Sequence, residues 1–166
     1  AEVYQKLNKP DKATECLGRL PRMQPIDRTN WRILYCDSEE MDGENRSARN
    51  AIDGNPDTFW NNRYKKSGTP HPHEIIIDMG KTYTISGFAY LPTMYCSGRI
   101  KDYEFYVSSD GTFGDPFLQA AFPGDFVEKI VQFKDRVTCR FIKIRTLSDT
   151  DGWSFANIAE LNVFGE

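Results

Sequence analysis

The sequence predicts an all-β domain, an antiparallel sandwich or jelly roll, on three observations. From Asn30 onward it is a series of short runs rich in β-branched and aromatic residues, punctuated by Gly, Pro, Asn and Asp clusters. Within the runs, apolar and polar residues alternate with the period of a half-buried strand. Between them there is no helical pattern of the kind that builds βαβ units.

The runs, in order, are WRILYC, HEIIIDMG, YTISGFAYL, KDYEFYVSS, EKIVQF, CRFIKIRT and IAELNVFG. Alternation in KDYEFYVSS places Tyr103, Phe105 and Val107 on one face and Asp102, Glu104 and Tyr106 on the other. In CRFIKIRT it sets Arg140, Ile142 and Ile144 against Phe141, Lys143 and Arg145. Residues 1–29 read differently: a weak helical pattern around Val3, Tyr4 and Leu7 gives way to LGRLPRMQP, where Pro21 and Pro25 break regular structure. This segment is expected to be a linker or the tail of a preceding domain, with the folded domain over 30–166. A start on Ala1 fits a piece processed or excised from something longer, which the intact mass of the native product would settle.

Composition narrows the function classes. With 39% hydrophobic, 13% aromatic and 27% charged residues, the chain can bury a core. Its 21 basic and 24 acidic residues give a net charge of -3, which offers no long-range attraction to nucleic acid or anionic lipid. No apolar run approaches the roughly 18 residues of a membrane span, so membrane insertion is not expected. Cys16, Cys36, Cys96 and Cys139 are too widely spaced for a CxxC motif. They read as buried or free thiols; were all four paired, three connectivities would be open, and the redox compartment stays undecided. His71 and His73 in TPHPHE are two apart, but with no further His or Cys nearby they read as loop packing rather than a metal pair. No G-x-S-x-G, H-E-x-x-H, phosphate loop or G-x-G-x-x-G occurs, and the chain is not expected to be an enzyme.

The stretch AIDGNPDTFW concentrates oxygen. Asp53, Asn55 and Asp57 stand at i, i+2 and i+4, as an EF-hand loop begins, but the positions needing Gly and a bidentate Glu hold Thr58 and Tyr64. Locally, two readings stay open: an Asx-turn, in which Asp and Asn cap their own backbone, or a site for a hard cation.

A wider pattern bears on that choice. A-I-D-G-N-x-x-T-x-W, then PHEIIIDMGKTYTISGFAYLP, GRIKDYEFYVSSDGTFG and N-I-A-E-L-N-V-F-G, in this order over about residues 30–166, resemble the discoidin, or coagulation factor type C, domain. The two middle segments closely resemble its bacterial branch, the family 32 carbohydrate-binding modules. The resemblance implies a galactose-binding-domain-like jelly roll of about eight strands, whose first and last strands lie side by side. It also implies a structural calcium ion held by Asp53, Thr58 and Glu160 side chains and by carbonyls of Asn50, Asn55, Thr58 and Ala159. Six to eight oxygens at roughly 2.3 to 2.6 Å are what calcium takes. Trp60 and Phe59 then read as packing beneath the loop.

For sugar-binding members, the resemblance implies a shallow loop site in which aromatic faces cover a sugar ring and polar groups fix its hydroxyls. Here Asn61 stands where those members have His, Thr93 where they have Arg and Ser97 where they have Asn. Tyr64 and Trp153 keep the aromatic positions, and Arg99 in the SGRI turn is a further polar candidate. A galactose specificity therefore does not transfer. The ligand candidates are Asn61, Tyr64, Arg99 and Trp153.

The function expected is a noncatalytic carbohydrate-binding module of a larger secreted or cell-surface bacterial protein, located outside the cell, on its surface or in the periplasm. Its partners would be a glycan and the parent protein's other domains. Two alternatives stand beside it. One is an adhesion or protein-docking module using an apolar tip at Met94 and Tyr95; animal members staple their ends with a disulfide, and this chain has no Cys after Cys139. The other is a structural spacer without a ligand.

Overall fold

The computed structural model describes residues 24–65 and 68–166. Eight strands account for nearly all regular structure: β1 (Arg32–Cys36), β2 (Trp60–Asn61), β3 (His73–Leu91), β4 (Asp102–Ser108), β5 (Leu118–Ala121), β6 (Lys129–Thr146), β7 (Asn157–Ile158) and β8 (Glu160–Gly165). A short 3-10 helix, Ala48–Ile52, runs into the AIDGNPDTFW stretch and ends at its second residue. All ladders between the named strands are antiparallel, as expected.

β3 and β6 each join two of the expected runs into one long, bent strand. Their pairing shifts register between Asp78 and Tyr83 and again between Ile85 and Gly87. Gly80, at φ 84°, takes the first bend; a Cβ there would stand 2.8 Å from Asn30 Cβ. Before the bends, β3 pairs with β1, and the second half of β6 pairs with β4, which carries β5 at its edge. Beyond them, β3 pairs with β8.

The bends fold this sheet into two facing layers. Phe88 lies beyond the bends and Phe105 lies on β4, yet their rings stack at 4.3 Å and 5°. Tyr103, Phe122 and Phe133 pack around them, and Ile75, Ile77, Ile85, Ile142 and Ile144 complete the core. The face assignment holds for Tyr103, Phe105, Ile142 and Ile144, all buried. It fails at Arg140, which lies outside and grips Asp78 with two bonds of 2.8 Å. The register shift is the reason: it separates Arg140 from the alternation of Ile142 and Ile144.

β1 and β8 do not pair with each other. Each pairs with β3, at opposite ends of it, and the first and last strands are therefore not side by side. The chain beside β8 is the segment before β1: Ile26 N donates to Val163 O and Gly165 N to Gln24 O. Ile26 is buried in the core. Of the expected linker, residues 1–23 lie outside the described residues, whereas 24–29 pack on the sandwich. Cys16 lies outside as well. Cys36, Cys96 and Cys139 are free thiols, and burial pushes that of Cys139 up to about 12.

Candidate functional site

Two features stand out among the loops: the oxygen-rich turn between β1 and β2, and an aromatic pocket to which the loops after β2, β3 and β6 all contribute. The two-residue ladder of β2 and β7 brings both together. Asn61 pairs with Asn157 and Trp60 with Ile158, two residues before Glu160 opens β8. Trp60 anchors this ladder, fully buried, with Nε1 donating to Ser38 O at 2.9 Å.

The turn itself is self-capped. Asp53 Oδ1 accepts from Asn55 N at 2.8 Å, Asn55 Oδ1 from Asp57 N at 3.1 Å, and Asp53 Oδ2 from the Thr58 hydroxyl at 2.7 Å. Gly54 takes φ 84°. Asn50 is buried, with its amide spent on the carbonyls of Asn45 and Phe59. Glu160, 5% exposed, faces this turn. Burial raises its carboxyl above the usual range, the Arg28 guanidinium opposes the rise, and the charge of Asp53 adds to it. Glu160 Oε2 accepts from Arg28 Nη1 and the Gly54 amide stands near enough to lower the same carboxyl, whereas Oε1 is buried without a partner in hydrogen-bond geometry.

Among the described residues, no three His, Cys, Asp or Glu side chains converge as a metal cluster. A cation at this turn would rest on Asp53 and Glu160, completed by the Thr58 hydroxyl and by carbonyls of Asn50, Asn55, Thr58 and Ala159. Those oxygen donors fit a hard cation, and the orphaned Glu160 Oε1 is an acceptor of the right kind. The histidines offer nothing comparable. His73 is fully buried, with Nδ1 on Asp37 Oδ2 at 2.7 Å and Nε2 taking the Asn62 amide at 2.9 Å.

Beyond the turn lies a pocket of ≈ 360 Å³ lined by Asn61, Tyr64, Cys96, Ser97 and Phe155. Asn61 is 3% exposed; its Nδ2 contacts Cys96 Sγ at 3.6 Å, and its Oδ1 has no partner. Tyr64 sets its ring 5.5 Å from Phe155 and donates its hydroxyl to Glu44. Trp153, 61% exposed, stacks outside Phe155 at 6.1 Å and 7°. Gly98, at φ 103°, lets the Cys96–Ser97 loop approach: a Cβ there would stand 2.8 Å from Phe155 Cβ.

Two buried carboxylates hold the walls. Glu40 accepts the amides of Asp42, Tyr64 and Lys65, which bring its carboxyl down to about 2. Asp149, 5% exposed, accepts from Asp151, Trp153 and Phe155, winding the loop around itself.

Three of the four expected ligand residues therefore meet here: Asn61 and Tyr64 in the wall, Trp153 beside it. Arg99 does not join them. Its guanidinium pairs with Asp151 at 2.7 Å and lies over Phe126 at 4.3 Å. Thr93 is buried and caps its own loop by accepting from Tyr95 N. Met94 and Tyr95 are exposed, at 75% and 67%. Cys96 and Phe155 were not expected in the wall. Phe155 sits two residues from Trp153 in the loop whose aromatic character was legible, but nothing local said which ring would turn inward.

A bent antiparallel sandwich with an aromatic pocket among its loops is the build of a galactose-binding-like module. The chain belongs to the F5/8 type C domain family, whose pattern matches residues 35–161. Among solved structures, it is similar to CpGH89CBM32-5 from Clostridium perfringens, in complex with GalNAc-β-1,3-galactose: 30% identity, TM-score 0.77, covering 86% of this chain and 100% of that one. It is also similar to the family 32 module of C. perfringens NanJ in complex with galactose, at 27% identity and TM-score 0.73, covering 84% of this chain and 97% of that one. Among curated proteins, it is 36% identical to a sialidase of Micromonospora viridifaciens and to a galactose oxidase of Gibberella zeae. These matches cover 85% and 84% of the chain but only 22% and 20% of the relatives, so the chain spans about a fifth of their length.

Proposed function

We propose that the chain is a noncatalytic glycan-binding module of a larger secreted or cell-surface protein, bacterial in origin and working outside the cytoplasm. The observation that carries this is the pocket of Asn61, Tyr64, Cys96, Ser97 and Phe155 with Trp153 stacked beside it. Aromatic faces suit the apolar side of a sugar ring, and the amide, hydroxyl and thiol supply polar contacts at its edge. None of the described lining residues carries a charge, and the nearby Arg99 is spent on Asp151. The ligand is therefore a neutral saccharide rather than an acidic one. A parent protein several times longer, with its chemistry in another domain, would gain substrate proximity from such a module.

The Asp53–Thr58 turn with Glu160 is read as a structural calcium site. Its support is the oxygen donor set and the free Glu160 Oε1. Calcium there would tie the turn to β8 across a long stretch of chain, where a clip opposes the most chain entropy.

The test is binding of the chain to a broad glycan array in millimolar calcium, with Trp153→Ala alongside. Binding to neutral glycans, abolished or strongly weakened by the substitution, is expected. Silence from a folded sample would overturn the glycan reading and favour docking or spacing.

A further inference from the structure

Arg28 lies in the part of the chain expected to be linker, yet it is built into the cation site. Residues 24–26 pair with β8, and Asp27 Oδ1 accepts from both the amide and hydroxyl of Thr29, at 3.0 and 2.7 Å. The Arg28 carbonyl takes the Trp31 amide at 2.9 Å. With the backbone fixed on both sides, the guanidinium reaches inward. Nη1 donates to Glu160 Oε2 and, at 3.2 Å, to Leu161 O, while Nη2 stands 3.6 Å from where a Cβ on Gly54 would lie. One side chain thus bonds to β8 and lies beside the oxygen-rich turn, the same two elements a cation would join. Arg49 lines the cavity beside it.

We propose that Arg28 is a tethered cation built into the calcium cradle: it holds one oxygen of Glu160, leaves the other for the metal, and lets the domain fold without calcium while keeping calcium affinity low. The proposal rests on the calcium reading above. Its physical basis is charge count. Affinity at oxygen sites follows the net charge of the ligands and their rigidity. Arg28 cancels one of the two carboxylate charges that Asp53 and Glu160 would offer, while fixing the Glu160 side chain. Hydrogen bonding of a ligating carboxylate by a neighbouring group is a common way to orient it.

The experiment titrates calcium into the metal-free chain and into Arg28→Gln and Arg28→Lys, by calorimetry and by melting temperature in calcium and in chelator. The native chain is expected to bind at about 10⁻³ M, the weak end of the range that extracellular modules use. About 1 mM calcium should raise its Tm by about 1–2 °C. Arg28→Gln should melt lower in chelator, bind calcium about tenfold more tightly and gain about 3–6 °C in the same calcium. Arg28→Lys keeps the charge and should stay within about threefold of the native affinity. Equal or weaker calcium binding in Arg28→Gln overturns the role of Arg28 while leaving the calcium site standing. So does a variant that fails to fold even in calcium, or a native chain that loses more than about 10 °C in chelator, since the metal would then be what the fold requires. Absence of calcium binding in all three proteins overturns the calcium reading and the proposal with it.

Discussion

The loop that presents Trp153 and Phe155 is held by one carboxylate, and removing it should separate loop order from fold. Asp149 accepts from Asp151 N and Trp153 N at 2.9 Å each through Oδ1, and from Phe155 N at 3.3 Å through Oδ2. Hydrogen bonds to a charged group are worth about 1.5–3 kcal/mol each; the third is long, and exposed amides recover part of the loss from water. Asp149→Ala should therefore cost about 2–4 kcal/mol of loop order. If binding must restore that order, glycan affinity falls about 30- to 800-fold, at one decade per 1.4 kcal/mol. Asp149→Asn keeps an oxygen where Oδ1 stands and should lose about tenfold or less. The assay pairs calorimetric affinity with hydrogen exchange at the amides of Asp151, Trp153 and Phe155. Those three should exchange faster in Asp149→Ala while core amides of β3 and β6 remain protected. Unchanged protection at the three amides, or unchanged affinity despite their loss of protection, would refute the reasoning.

Acid should loosen the opposite wall of the pocket. Three amides hold the Glu40 carboxyl at about 2, below its value of 4.5 in an unfolded chain. Its stabilisation is fully present above 4.5 and is lost as pH falls through about 2. A melting series from pH 6 to 2 should decline below about 4.5, and Glu40→Gln should flatten that decline; identical slopes would refute the assignment. Labelling is expected to report on the pocket as well. Cys96 lines it, and burial raises its thiol, with the Asn61 contact opposing the rise. Maleimide added at mildly alkaline pH should abolish glycan binding, and Cys96→Ser should prevent that loss; binding that survives full modification of Cys96 would place the ligand elsewhere.

Much of the architecture was readable because its residues announce their surroundings. Every expected run falls at a strand, and alternation alone turns Tyr103, Phe105, Ile142 and Ile144 inward. What local pattern did not reveal depends on distant chain. The bends that fuse the runs into β3 and β6 come from register against a partner strand. β5, with the sequence LQAA, is identified by its pairing with β4 more than by its own residues. β2 and β7 are two residues each and exist because Trp60 and Ile158 meet. The same holds at the site. Asn61, Tyr64 and Trp153 were legible by position in a family pattern, whereas Cys96 and Phe155 reach the pocket through the close approach at Gly98. Arg99 shows the converse: a plausible ligand residue by position, it is withdrawn by an acid and an aromatic ring outside its own segment.

The oxygen-rich turn and the pocket are mechanically one piece. From Asp53 the chain runs through the turn into β2, where Asn61 enters the pocket wall, and on to Tyr64 in the same wall. A second link closes the circuit: the Tyr95 hydroxyl donates to Asp57 Oδ1 at 3.2 Å, joining the turn to the loop that carries Cys96 and Ser97. Asn157 supplies a third, donating to Ser97 O at 3.0 Å while pairing with Asn61 across the short ladder. Arg28 and Glu160 pair beside the turn at the start of β8, so a change of charge there is expected to reach the pocket through these hydrogen-bonded loops. The Arg28–Glu160 pair is thus placed to set the stiffness of the pocket walls.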